Sequence, residues 1–160
     1  MFERFGEFDS AQEINRAAAA QLAEGDLEAV RMIAQENGIA PEDAQDYLDG
    51  AVPELCNDLM AAMGKLDVEE ADLKPEGLME DWMAYIRMQC TESLDMAAAV
   101  RRKGKSVREC IAKLMVYSFQ NAKPVDEKIL KAAKIPGRVT FGVPGMAKAR
   151  KLIRDYYMGG

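Results

Sequence analysis

Acid–base or nucleophilic chemistry in this 160-residue chain would fall to its carboxylates and its three cysteines, because the sequence contains no histidine. That absence removes Ser-His and Cys-His nucleophile activation and every histidine-containing zinc site. Carboxylates are abundant, but a catalytic pair needs a concave site that drives its two pKa values apart, and the sequence specifies none. Phosphate-cradling glycine signatures and the D-x-[DN]-x-[DN]-G calcium loop are missing. Cys56, Cys90 and Cys110 stand far apart with no C-x-x-C pair. Their odd number suits a reducing compartment, and they read as small core residues. The expectation is a protein that is not an enzyme, takes no cofactor or metal, and acts by binding another macromolecule.

What the chain offers such a partner is charge. The net charge of −6 hides two opposed segments: residues 1–100 carry 6 Lys and Arg against 23 Asp and Glu, and residues 101–160 carry 15 against 4. The first segment is therefore −17 and the second +11. A field this lopsided steers charged partners, unless the two segments neutralise each other internally. The longest apolar runs, Ala17 to Ala20 and Met96 to Val100, fall far short of the roughly 20 residues that cross a bilayer. The opening residues mix charge with aromatics and lack the layout of a secretory signal, so a cytoplasmic location is expected.

The elements that must position these charges are helices. Ser10-Ala-Gln-Glu13 has capping-box spacing, Ile14, Ala17, Ala18 and Leu22 follow at helical intervals, and Gly25 supplies a stop. Asp26 caps a second helix with Leu27, Val30, Ile33 and Ala34 on one face, closed by Asn37-Gly38. Pro41 opens a third helix with Tyr47 and Leu48 inward, and Pro53 a fourth with Leu55, Leu59, Met60 and Met63 inward. The acidic stretch Asp67 to Pro75 reads as a boundary between residues 1–74 and 75–160. A fifth helix from about Pro75 aligns Leu78, Trp82, Tyr85, Ile86 and Gln89. A basic turn, Arg101 to Lys105, precedes a helix begun by Ser106-Val-Arg-Glu109. Asp126 caps another helix, residues 139–143 form a short strand at most, and a last helix after Gly145 turns Met146, Ala149, Leu152, Ile153 and Tyr156 inward. Gly159-Gly160 reads as a frayed end. The fold class expected is all-α, with about seven to nine helices and at most one short strand.

Residues from about Met79 to Tyr157 resemble the PcfK-like family of proteins from conjugative plasmids, phages and related mobile elements. The shared pattern runs through Trp82 to Ile86, Lys103-Gly-Lys-Ser106, Glu109-Cys110-Ile111 and Asp155-Tyr156-Tyr157. The opening Phe2 to Asp9, with Glu24-Gly-Asp26 and Glu36-Asn-Gly-Ile39, is similar to longer members of this group. Some of these are anti-CRISPR proteins that inhibit the RNA-guided type II CRISPR nuclease. The resemblance implies the same function here, with the nuclease, alone or with its guide RNA, as partner.

Such nucleases hold guide and target in positively charged channels, which an acidic helical surface can occupy as a nucleic-acid mimic. The candidate partner-binding residues are Asp67, Glu69, Glu70, Asp72, Glu80 and Asp81. The alternative is a DNA- or RNA-binding accessory protein of a mobile element that grips phosphates with Arg101, Arg102, Lys103, Lys105 and Arg108. Head-to-tail pairing into a homo-oligomer is a third reading.

Overall fold

The computed structural model describes residues 3–159, so Met1, Phe2 and Gly160, which belong to the opening motif and the glycine end, lie outside the described residues. The described chain is all-α, with nine helices and one pair of two-residue strands. It divides into two compact units, one ending at Arg108 and the other beginning at Glu109. None of the helices is long and apolar enough to cross a membrane.

The first unit opens with three helices, α1 (Ala11–Ala23), α2 (Leu27–Glu36) and α3 (Pro41–Leu48). Ser10 caps α1 by accepting from the Glu13 N–H at 3.2 Å, and the Glu13 carboxylate reaches back to the Asp9 N–H, one residue beyond the usual capping-box target. Asp26 caps α2 through the Ala29 N–H at 2.9 Å, and Pro41 takes the first position of α3. Ile14, Ala18, Val30, Ile33, Ala44 and Tyr47 pack into one core with Leu55 and Cys56. Leu27 falls outside it, half-exposed on the first turn of α2.

The fourth helix does not begin at Pro53. Residues 51–57 form an irregular link whose inner end is held by Asn15, which accepts from the Cys56 N–H at 3.0 Å and donates to the Cys56 carbonyl at 2.9 Å. Asn57 then caps α4 (Asp58–Leu73) by accepting from the Met60 N–H at 2.8 Å. The asparagine side chain satisfies a helix donor that proline cannot, and so sets the start five residues later.

Helix α4 runs through the acidic stretch that the sequence suggested as a boundary, and ends at Lys74, whose φ of 47° is left-handed. Pro75 disfavours helical backbone at the residue before it. After the turn come α5 (Leu78–Glu92) and α6 (Leu94–Arg101), both packed on α4. The expected division at 74/75 thus falls between helices of one packed group, whereas the units meet at 108/109. Trp82, Met83, Ile86 and Cys90 are the buried face of α5, while Leu78 is exposed at its first position. Helix α6, absent from the helices expected from the sequence, is capped by Ser93 accepting from the Met96 N–H at 3.2 Å.

The second unit holds most of α7 (Val107–Gln120), then β1 (Lys123–Pro124), α8 (Glu127–Ala132), β2 (Thr140–Phe141) and α9 (Met146–Met158). The strands pair antiparallel, Lys123 opposite Phe141 and Pro124 opposite Thr140, so the short strand expected within residues 139–143 has a two-residue partner after α7. Asp126 caps α8 as expected. On α9 the buried residues are Ala149, Ile153, Tyr156 and Tyr157, with Met146 at the open N-terminal end and 72% exposed.

Two glycines permit the closest approach in the first unit. A Cβ at Gly38 would overlap the Gly64 backbone, and one at Gly64 would overlap the Asn37 carbonyl, so the end of α2 touches α4 main chain to main chain. Gly64→Ala is expected to cost at least about 1–3 kcal/mol in urea unfolding, the range for overpacking a close contact. Gly25→Ala, whose new methyl meets open space, should cost only about 1 kcal/mol through its left-handed backbone.

Candidate functional site

The contact between Gly38 and Gly64 delivers Asn37 into the interior, where it is fully buried beside two buried cations. Arg101, the last residue of α6, is 1% exposed. Its Nη2 donates to Asn37 Oδ1 at 2.6 Å, its Nε to the Phe8 carbonyl at 3.2 Å, and its Nη1 to the Ala61 carbonyl at 3.5 Å. Asn37 in turn donates to the Ile33 carbonyl at 2.7 Å. Lys65 of α4, also 1% exposed, donates to the Arg102 and Lys105 carbonyls at 2.9 and 2.6 Å and pairs with Glu7 at 3.1 Å.

One turn further along α4, Glu69 accepts from the Val107 N–H at 2.9 Å and so caps the start of α7 from another helix. Burial lowers the Lys65 and Arg101 pKa values from their ordinary levels and raises that of Glu69, while Glu69 and Glu7 act to keep Lys65 charged. Two cations and two carboxylates therefore balance in this cluster, which makes its burial tolerable.

This cluster redistributes the residues that the sequence grouped by sign. Arg101 does not belong to the surface basic turn: it is an interior residue that donates to Phe8, Asn37 and Ala61. Arg102, Lys103 and Arg108 are exposed, and Lys105 is half-buried. The loop that carries them is pinned by its main chain, through the two carbonyls held by Lys65 and through the Lys103 N–H, which donates to Asp9 Oδ1 at 2.8 Å.

The acidic candidates divide in the same way. Glu69 is buried and turned to Val107, away from any surface. Asp67 and Glu70 are both engaged by Arg87 of α5, Asp67 at 2.7 Å. Burial pulls the Arg87 guanidinium down, and the two carboxylates more than offset it, leaving it above its ordinary value. Asp72, Glu80 and Asp81 are exposed, and Glu76 in the turn between α4 and α5 joins them. The α4–α5 corner thus displays four carboxylates within ten residues, interrupted only by Lys74, on two helices that Arg87 clamps together. Glu80 and Asp81 sit in the first turn of α5, where the helix dipole favours negative charge.

Among the described residues, no group of three or more cysteine and carboxylate side chains is placed to hold a metal ion. The three cysteines are buried, and desolvation pushes the thiols of Cys56 and Cys90 up to about 12 and about 11, opposed in part by Arg101 and Arg87 respectively. At neutral pH these two thiols hold almost no thiolate, the nucleophilic form. A cleft of about 250 Å³ lies between α3 and the link before α4, with Asp43, Asp46 and Glu54 at its rim and Leu55 and Met60 beneath.

Asn37 and Glu7 were missed as site residues. The only sequence signal for Asn37 was its place in the Asn-Gly stop, which disguised a buried polar group as a surface turn. Compared with protein-family models, with curated proteins and with solved structures, the chain matches none. The class that fold and site define is an all-α protein whose first unit has an interior fixed by a charge cluster and carries exposed carboxylates at its α4–α5 corner.

The different settings of two adjacent arginines give a direct check. Arg101→Ala removes the donor from Asn37 Oδ1 and from the Phe8 carbonyl and should cost about 3–5 kcal/mol in denaturant unfolding, as when a buried charge network loses one partner. Arg102→Ala, which removes only an exposed side chain, should stay within about 0.5 kcal/mol of the parent.

Proposed function

We propose that this protein is an anti-CRISPR inhibitor that binds the RNA-guided type II CRISPR nuclease and blocks target DNA binding or cleavage with the carboxylates of its α4–α5 corner. The observation that carries the reading is the exposure of Asp72, Glu76, Glu80 and Asp81 on a hairpin that the Arg87 bridge holds in one shape. A rigid row of carboxylates loses little side-chain and backbone freedom on docking. Against channel arginines it forms charge-assisted hydrogen bonds in place of phosphates. The resemblance to PcfK-like mobile-element proteins supplies the identity of the partner, and the charge supplies the mode.

The interior role of Glu69 and the engagement of Asp67 and Glu70 by Arg87 narrow the surface from the six carboxylates named from the sequence to three of them, Asp72, Glu80 and Asp81, with Glu76 added. A second reading, a nucleic-acid-binding accessory of a mobile element, draws on the basic turn. Its support is that Arg102, Lys103 and Arg108 are held outward on a loop whose main chain is fixed from within.

The test is a cleavage assay with nuclease, guide RNA and target DNA. The parent protein should inhibit, and the combined variant Asp72→Asn, Glu80→Gln, Asp81→Asn should require at least about 10-fold more protein for the same inhibition, since each lost charge-assisted bond is worth upward of ~1 kcal/mol. Neutralising Glu24, Glu28 and Glu42, which lie on α2, α3 and the turn before them, should change inhibition less than about threefold. Equal loss from both triple variants would assign the effect to overall charge, and undiminished inhibition by the corner variant would discard the mechanism.

A further inference from the structure

The second unit carries a surface of the opposite character. Residues 109–160 hold ten Lys and Arg against four Asp and Glu. On this positive unit, two aromatic rings stand in solvent: Phe119, 79% exposed near the end of α7, and Phe141, 66% exposed in β2. Burying such rings normally stabilises a fold, so two of them left open on one small unit mark a surface that is covered by something else.

The backbone brings together the two segments that carry these rings. A Cβ at Gly142 would overlap the Ser118 carbonyl and crowd the Ala122 Cα, so the chain just after Phe141 lies directly against the residue before Phe119. Opposite residues of an antiparallel pair project to the same face, which sets Lys123 beside Phe141. From Phe119 the exposed side of α7 continues through Val116 and Gln120 into an open groove of about 650 Å³, with Lys113 and Tyr117 on its wall. Lys148 of α9 sits 5.3 Å from the centre of the Tyr117 ring. One carboxylate, Glu109, lines the groove and accepts a hydrogen bond from the Tyr156 hydroxyl at 3.0 Å.

We infer that this surface and groove form a binding track for single-stranded nucleic acid. Unpaired bases stack on Phe119 and Phe141, and Lys123, Lys113 and Lys148 neutralise the phosphates that run past them. Exposed rings interleaved with bases suit unpaired nucleotides, whose faces are open; a duplex hides its base faces and would use only the cations. An acidic protein segment would satisfy the lysines but has no flat partner for two exposed rings. The overall charge of −6 does not forbid this, because at physiological salt a strand in the groove feels charges within about 8 Å and little beyond. The inference uses none of the acidic corner and stands independently of the nuclease reading.

The experiment is fluorescence anisotropy of the full-length protein, without nuclease, on labelled oligo-dT and oligo-rU of about 20 nucleotides and on a duplex of equal length, at about 50 mM salt. Single strands should bind more tightly than duplex. Phe119→Ala and Phe141→Ala should each weaken single-strand binding about fivefold or more, and Lys123→Gln about two- to threefold. Both rings are exposed, so circular dichroism melting should show these variants as stable as the parent. No binding at about 100 µM protein, or binding that is equal for duplex and indifferent to the rings, would overturn the inference. So would self-association lost on Phe119→Ala with no oligonucleotide binding, since a second copy of the chain would then be what covers the rings.

Discussion

An arginine and a lysine taken out of water cost several kcal/mol each unless every donor finds an acceptor, and the first unit is arranged around meeting that demand. The acceptors for Arg101 and Lys65 come from Glu7, Phe8, Asn37, Ala61, Arg102 and Lys105, which are scattered over nearly a hundred residues of sequence. An apolar core tolerates small shifts of one helix against another; a guanidinium with three fixed acceptors does not. The cluster therefore selects one arrangement of the N-terminal segment, α2, α4 and α6, and the glycine contact between residues 38 and 64 is the geometric condition for it.

From this fixed interior the surface features follow. Glu69 and Lys65 lie one turn apart on α4 and hold, respectively, the first N–H of α7 and the carbonyls of the basic turn, so the loop between α6 and α7 is set from beneath while Arg102, Lys103 and Arg108 remain outside. On the outer side of the same helix, Asp67 and Glu70 take Arg87 and fasten α5, which fixes the acidic corner. One helix thus serves two electrostatic tasks: Lys65 and Glu69 join the buried, balanced cluster, and Asp67 and Glu70 fasten the helix that carries Glu80 and Asp81 of the acidic corner. The carboxylates and bases are not interlocked in a single neutral seam within this unit: of the acidic residues there, Glu69 alone is buried.

Much of the helical layout was legible because local chemistry decides it. Ser10, Asp26, Pro41 and Asp126 start helices where their side chains or fixed torsions say they should. The failures arise where distant groups intervene. Pro53 looked like a helix start, but Asn15 holds Cys56 in an extended link and Asn57 has the stronger cap. Helix α6 was hidden because Met96 to Val100 is nearly uniform in hydropathy and shows no periodic face, as befits a short helix buried on most sides. Arg101 was counted with its basic neighbours because sequence reports charge without burial, and the single helical turn that carries it inward while Arg102 stays out is a tertiary fact. The exposed rings of Phe119 and Phe141 were likewise invisible, since their exposure and the meeting of the segments that carry them, at Gly142 and the end of α7, are tertiary facts.

That the buried charge cluster sets the arrangement of the first unit is tested most directly by native-state hydrogen exchange at the Val107 amide, which donates to Glu69 at 2.9 Å. If the cluster governs the fold, this amide at the first residue of α7 exchanges only through global unfolding, with an opening free energy equal to that from denaturant melts. It should lose that protection in Glu69→Ala. Exchange as fast as at ordinary helix N-termini, unchanged by the substitution, would contradict the account.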